Sequence, residues 1–277
     1  MTTDQGLRPN FAYVVGSNSR QNVITGLIES LGAHPFLRHV QIRILSFEEF
    51  ESTPCFPRII EATRQSQYRR SKTGELQILW GIIPLERDDL ECALIVPANT
   101  DLDPHGLLHE FGHISLARTP RFRELRKLWM VQESRLRSVI GFAINLAERL
   151  IFSPEDTEIE RTITSSYSER QAQEHFERVY EEYCRGLARL EEARAWASRL
   201  EVALNGFQYS LAARSHREIT LERGFSELSD GFSRLSERYA ESALLPDIDL
   251  DRFLYLMEQE SLKEWIVECS NAIVTLA

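Results

Sequence analysis

The chain has 277 residues, of which 43% are hydrophobic and 27% charged, and its formal net charge is −10. These proportions suit one large folded unit or two smaller ones and exclude wholesale disorder. An acidic surface repels phosphate, which argues against nucleic acid as a partner, and no apolar run approaches the roughly 18 residues of a membrane span.

Residues 11–15 form a short apolar run ending at Gly16, which predicts a strand. Residues 22–31 carry helical spacing through Val23, Ile24, Leu27 and Ile28, with Gly32 as the stop. Residues 40–45 alternate apolar and polar, the pattern of a half-buried strand. Two more strands are expected at 76–85 and 92–97, and the charged turn Glu86-Arg87-Asp88-Asp89 between them predicts a hairpin. From Asp103 onward the pattern is helical. Asp103 is a good N-cap, Pro104 suits the first helical position, and Thr119-Pro120 stops this helix. A second helix is expected over 122–152, ended by Ser153-Pro154, and long charged helices over 166–204, 215–243 and 249–276. The expected class is α+β: a small mixed or antiparallel sheet packed on the helix after Asp103, followed by a large all-helical C-terminal part. The expected division is 1–155 and 156–277, the second part a helical hairpin or bundle.

Cys55, Cys92, Cys184 and Cys269 lie far apart and form no Cys-x-x-Cys pair, which argues against a disulfide scaffold and a cysteine-rich zinc module. Buried free thiols and a cytoplasmic location are expected, and residues 1–10 contain no signal-peptide core. His175 and His216 are isolated and polar-flanked, which predicts surface histidines. No Gly-x-Ser-x-Gly or Gly-x-x-x-x-Gly-Lys element supports serine nucleophile or phosphate-loop chemistry.

Chemistry concentrates in His109-Glu110-Phe111-Gly112-His113. Histidines four apart on a helix share one face, one turn apart, so both imidazoles reach one ion. Glu110 stands beside the vacant coordination position, where a carboxylate takes a proton from metal-bound water. Leu107, Leu108, Phe111, Ile114 and Leu116 make the surrounding helix apolar. A histidine pair satisfied by core hydrogen bonds is the plainer alternative. A third ligand has three contenders. Glu148 lies on a stripe with Gly141 and Asn145, read as the polar stripe of a buried apolar helix, and its alternative is a salt bridge with Arg149 or Arg161. Glu133 lies among polar neighbours that suit a solvated face, and His105 is one turn before His109.

The segment LLHEFGHISL resembles the active-site helix of the zincin metallopeptidases, including the ImmA/IrrE-like group, and INLAE resembles the Asn-x-x-Glu/Asp element of some bacterial and phage zincin-like proteins. The resemblance spans roughly residues 76–152. It implies a Zn2+ site of His109, His113 and Glu148 with Glu110 as general base, and a strand before the motif helix that pairs with an extended substrate near Trp80 and Gly81. The Glu-Ala-Asn element of the ImmA/IrrE-like group has no match, the metzincin His-x-x-Gly-x-x-His is absent, and thermolysin-like spacing selects Glu133 instead. The function implied is zinc-dependent hydrolysis of an intracellular protein or peptide, with the C-terminal helices docking a partner or a second copy. The alternatives are a catalytically silent interaction or regulatory protein on the same scaffold and a non-peptidase metal hydrolase.

Overall fold

The computed structural model of the chain describes residues 10–38, 40–53, 56, 69–70, 76–77, 91–95, 103–117, 119–243, 245 and 248–277. The chain divides into two compact units, Met1–Arg118 and Thr119–Ala277. The sequence expectation placed the boundary near residue 155. It falls earlier, and the helices at 120–165 contact other helices of the second unit.

In the first unit, strand β1 (Asn10–Val15) lies between β2 (Val40–Leu45) and β5 (Glu91–Ile95), parallel to both. Helix α1 (Gln21–Leu31) connects β1 to β2 and buries Ile24. A helical crossover of this kind returns the chain to the same end of the sheet, so the pair it joins is parallel. The expected mixed or antiparallel sheet is therefore corrected to a parallel one. Central β1 is covered on both faces, with Ala12, Tyr13, Val14 and Val15 all buried, as parallel strands require. Helix α2 (Phe47–Glu51) starts at a capping box in which Ser46 and Glu49 satisfy each other's backbone N–H. A short antiparallel ladder joins β3 (Arg69–Arg70) to β4 (Leu76–Gln77). The expected hairpin turn at 86–89, and Trp80 and Gly81, lie outside the described residues.

Helix α3 (Pro104–Leu116) carries the His-Glu-x-x-His motif. It packs against a turn at Pro35–Leu37, where Phe36 and Leu37 are buried.

The second unit is helical: α4 (Pro120–Ile140), α5 (Ile144–Ile151), α6 (Ser153–Ser165), α7 (Glu169–Ala193), α8 (Arg199–Glu222), α9 (Ser226–Ser242), α10 (Leu250–Glu258) and α11 (Lys263–Leu276). Helix α8 is its hub and touches α5, α6, α7, α9, α10 and α11. Its buried positions, among them Ala203, Leu204, Gly206, Phe207, Ser210, Leu211 and Ala213, run round the helix instead of forming one stripe. Small residues let α9 approach closely, and Ser210 and Ser236 each donate a hydroxyl hydrogen to the other's backbone carbonyl. The single helix expected over 122–152 is broken. Gly141 takes φ 55°, a conformation glycine adopts without strain, and a short turn through Ala143 separates α4 from α5. The helix expected over 166–204 also ends early, because Ser198 and Glu201 form a capping box that starts α8. Among the described residues, no helix is long and apolar enough to cross a membrane.

Candidate metal centre

The Asp103 carboxylate accepts from the backbone N–H groups of His105 and Gly106, at 3.2 and 3.3 Å, and Pro104 follows it in the first turn. This cap fixes the start of α3 and thus the rotation of its faces. Leu107, Leu108, Phe111, Gly112 and Ile114 are buried, and His109, Glu110 and His113 are half-buried.

The His109 and His113 rings lie edge to face, with centroids 4.9 Å apart. A nitrogen of one ring is within 4.8 Å of a nitrogen of the other. Zinc binds imidazole nitrogen at about 2.0–2.1 Å, so two donors on one tetrahedral ion stand roughly 3.4 Å apart. Two imidazole nitrogens on one helix face are a donor set that suits zinc. Glu110 stands one turn from His113 at i and i+3. Burial pushes its carboxyl above the ordinary range, and the charge of His113 opposes this. His105 is half-buried in the first turn of the same helix.

His34, next to the turn that supports α3, was not singled out by the sequence reading. It is buried, its Nδ1 accepts the Phe36 amide hydrogen at 3.3 Å, and its Nε2 is enclosed without a hydrogen-bond partner. Burial, then the neighbouring Arg38 charge, holds its pKa below the usual histidine value. Its signal was its place before Pro35 in a short apolar turn.

Glu148 belongs to the second unit. The reading of its helix as apolar almost all round is corrected: α5 buries Ile144, Ala147, Leu150 and Ile151, while Gly141, Phe142, Asn145, Glu148 and Arg149 are exposed. The Gly141, Asn145, Glu148 stripe is thus the outer face of an amphipathic helix. Even so, partial desolvation raises the Glu148 carboxyl pKa, and Glu133 raises it further. A hydrogen bond with Trp129 and the charges of Arg137 and Arg126 oppose the rise. Glu133 forms an i,i+4 ion pair with Arg137 at 2.6 Å, as its polar neighbours suggested. Hydrogen bonds at and just beyond the end of the Glu148 helix tie it to its unit. The Trp265 indole donates to the Ile151 carbonyl at 2.8 Å, and Arg126 pairs with Glu155 just beyond it.

Two further expectations change. His175 is buried and its Nε2 lies 2.6 Å from the Glu160 carboxylate, while His216 is partly buried with Nδ1 2.7 Å from the Ala212 carbonyl. The clue for His175 was its place between Ala172, Phe176 and Val179 on the apolar stripe of α7. Cys269 is a buried free thiol as expected, whereas Cys184 is exposed. The Cys55 and Cys92 side chains lie outside the described residues.

No family model, curated protein or solved structure matches the chain.

Proposed function

We propose that the chain is a zinc-dependent metallopeptidase in which His109 and His113 hold the ion and Glu110 is the general base. The observation carrying this reading is the pair of imidazoles on one turn of a capped helix, nitrogens within 4.8 Å, with a half-buried carboxylate adjoining them. Zinc held by these residues supplies a Lewis acid that polarises a scissile carbonyl and lowers the pKa of water to about 7. Glu110 accepts a proton from the attacking water as the new C–O bond forms. It returns that proton to the amide nitrogen as the C–N bond breaks, so no external acid or base is consumed. Partial burial suits a carboxyl that must hold a proton briefly near neutral pH. Strand β5 is an edge strand among the described residues, and an edge can take an extended peptide by main-chain pairing.

The test is metal analysis of the purified full chain together with a peptide-library digest. Wild-type protein is expected to carry zinc and cleave peptides, and His109→Ala with His113→Ala to lose the metal. Glu110→Gln is expected to keep zinc and lose about a hundredfold or more in turnover. Zinc near one per chain in the double histidine variant sinks the site. Unchanged cleavage by Glu110→Gln removes the base, and zinc without any cleavage by wild type favours a silent scaffold.

A further inference from the structure

Helix α4 packs against α5 and α11 and buries Phe122, Leu125, Trp129, Leu136 and Ile140. Its other side is exposed, and from Arg121 to Phe142 the exposed side chains are of two main kinds. Arg123, Lys127, Arg135 and Arg137 are basic, while Met130, Val131, Val139 and Phe142 are large and apolar. Two serines and Gly141 complete the set. No carboxylate is among them, although the chain holds 42 Asp and Glu residues. The two acids of α4 are half-buried and engaged: Glu124 pairs with Lys263 at 3.4 Å, and Glu133 with Arg137 at 2.6 Å. Lys127 and Arg135 have no ion pair among the described residues. Residues four apart on a helix lie one above the other, so Lys127, Val131, Arg135 and Val139 form a row in which charge and apolar surface alternate. At the end of the helix Gly141 turns the chain at φ 55°, and Phe142 beside it is fully exposed.

Large apolar groups grouped on one exposed face mark a surface that something covers. Its occupant must also take the basic groups set between them. A protein partner suits an apolar centre with a polar rim, whereas here the charges stand within the apolar row. A second copy meeting the same face would set basic groups against basic groups. A nucleic acid offers phosphates, but its bases stack on aromatic planes, which Val131, Val139 and Met130 lack. The surface of an anionic bilayer supplies both chemistries at adjoining depths. Acyl chains begin just below the phosphates, so apolar side chains enter while Lys and Arg heads stay among the headgroups. The net charge of −10 does not oppose this contact, because charges more than about 8 Å from the surface are largely screened at physiological salt.

We propose that the outer face of α4, with Phe142 at its end, docks the chain on an anionic phospholipid surface. The inference does not depend on the metal centre. The test is co-sedimentation of the full chain with phosphatidylcholine vesicles containing about 30% phosphatidylserine, compared with pure phosphatidylcholine vesicles. Wild type is expected to bind the anionic vesicles, to leave the neutral ones, and to be released as salt rises. Lys127→Gln with Arg135→Gln is expected to weaken binding about thirtyfold, at about fivefold per basic group. Lys127→Arg with Arg135→Lys should bind as wild type does, because attraction to a charged surface needs no bidentate fork. Phe142→Ser is expected to weaken binding about tenfold or more, and Phe142→Leu to keep most of it. An unchanged circular dichroism spectrum and melting temperature show that each variant is folded. Failure to bind anionic vesicles, equal binding to neutral ones, or unaltered binding by Phe142→Ser or by the double glutamine variant overturns the proposal. So does a polyglutamate peptide or a single-stranded oligonucleotide that binds more tightly than the anionic vesicles, since either names a different partner.

Discussion

Arg126→Ala tests how the segment bearing Glu148 is held. Glu155 is fully buried in the first turn of α6, and Arg126 of α4 meets it with two parallel hydrogen bonds of 2.8 Å. Breaking a buried pair by removing one partner costs about 3–5 kcal/mol. Arg126 keeps 34% of its side-chain area exposed, so solvent screens part of that, and about 2–4 kcal/mol is the working figure. For a unit of this size each kcal/mol moves Tm by about 2–4 °C, which gives a fall of roughly 5–15 °C. The assay is a tryptophan fluorescence melt, since Trp129, Trp196 and Trp265 all lie in the helical unit. The pair Arg126→Met with Glu155→Leu should recover much of the loss, because a buried ion pair exchanged for apolar groups of similar volume is often neutral. A fall below about 1 kcal/mol, or a double variant melting as low as the single one, refutes the reasoning.

Asp103→Ala should destabilise the motif helix by about 1 kcal/mol and weaken zinc retention, read by competition with a chelator; Asp103→Ser should restore both. Gly206→Ala should destabilise the helical unit by about 1–3 kcal/mol in denaturant melts, because a Cβ there would stand 2.1 Å from the Ala243 Cβ and 3.1 Å from the Tyr239 carbonyl.

Local chemistry was legible in the sequence. Asp103 and Pro104 announced the start of α3, and the i,i+4 histidines followed from its pitch. The apolar run at 11–15 gave β1, the alternation over 40–45 gave β2, and the period of residues 22–31 gave α1. The break between α7 and α8 was missed, although the capping box of Ser198 and Glu201 that makes it is local. Each of these depends on groups within a few residues of one another, where backbone hydrogen bonding and helix pitch leave little choice. Tertiary structure decided the rest. Residues 40–45 do not say which strand they will pair with, and it is the α1 crossover that makes β1 and β2 parallel. The polar stripe of Glu148 has the same spacing whether it faces a core or water, and only the packing of Ile144, Ala147, Leu150 and Ile151 turns it outward. His175 looked solvated from its neighbours, yet its place on the α7 stripe buries it beside Glu160. The basic and acidic residues of α4 are interleaved in the sequence, and only its packing against α5 and α11 decides which stay exposed. Burial and charge pairing are properties of surfaces that meet, and the sequence specifies each surface without stating which other one it will meet.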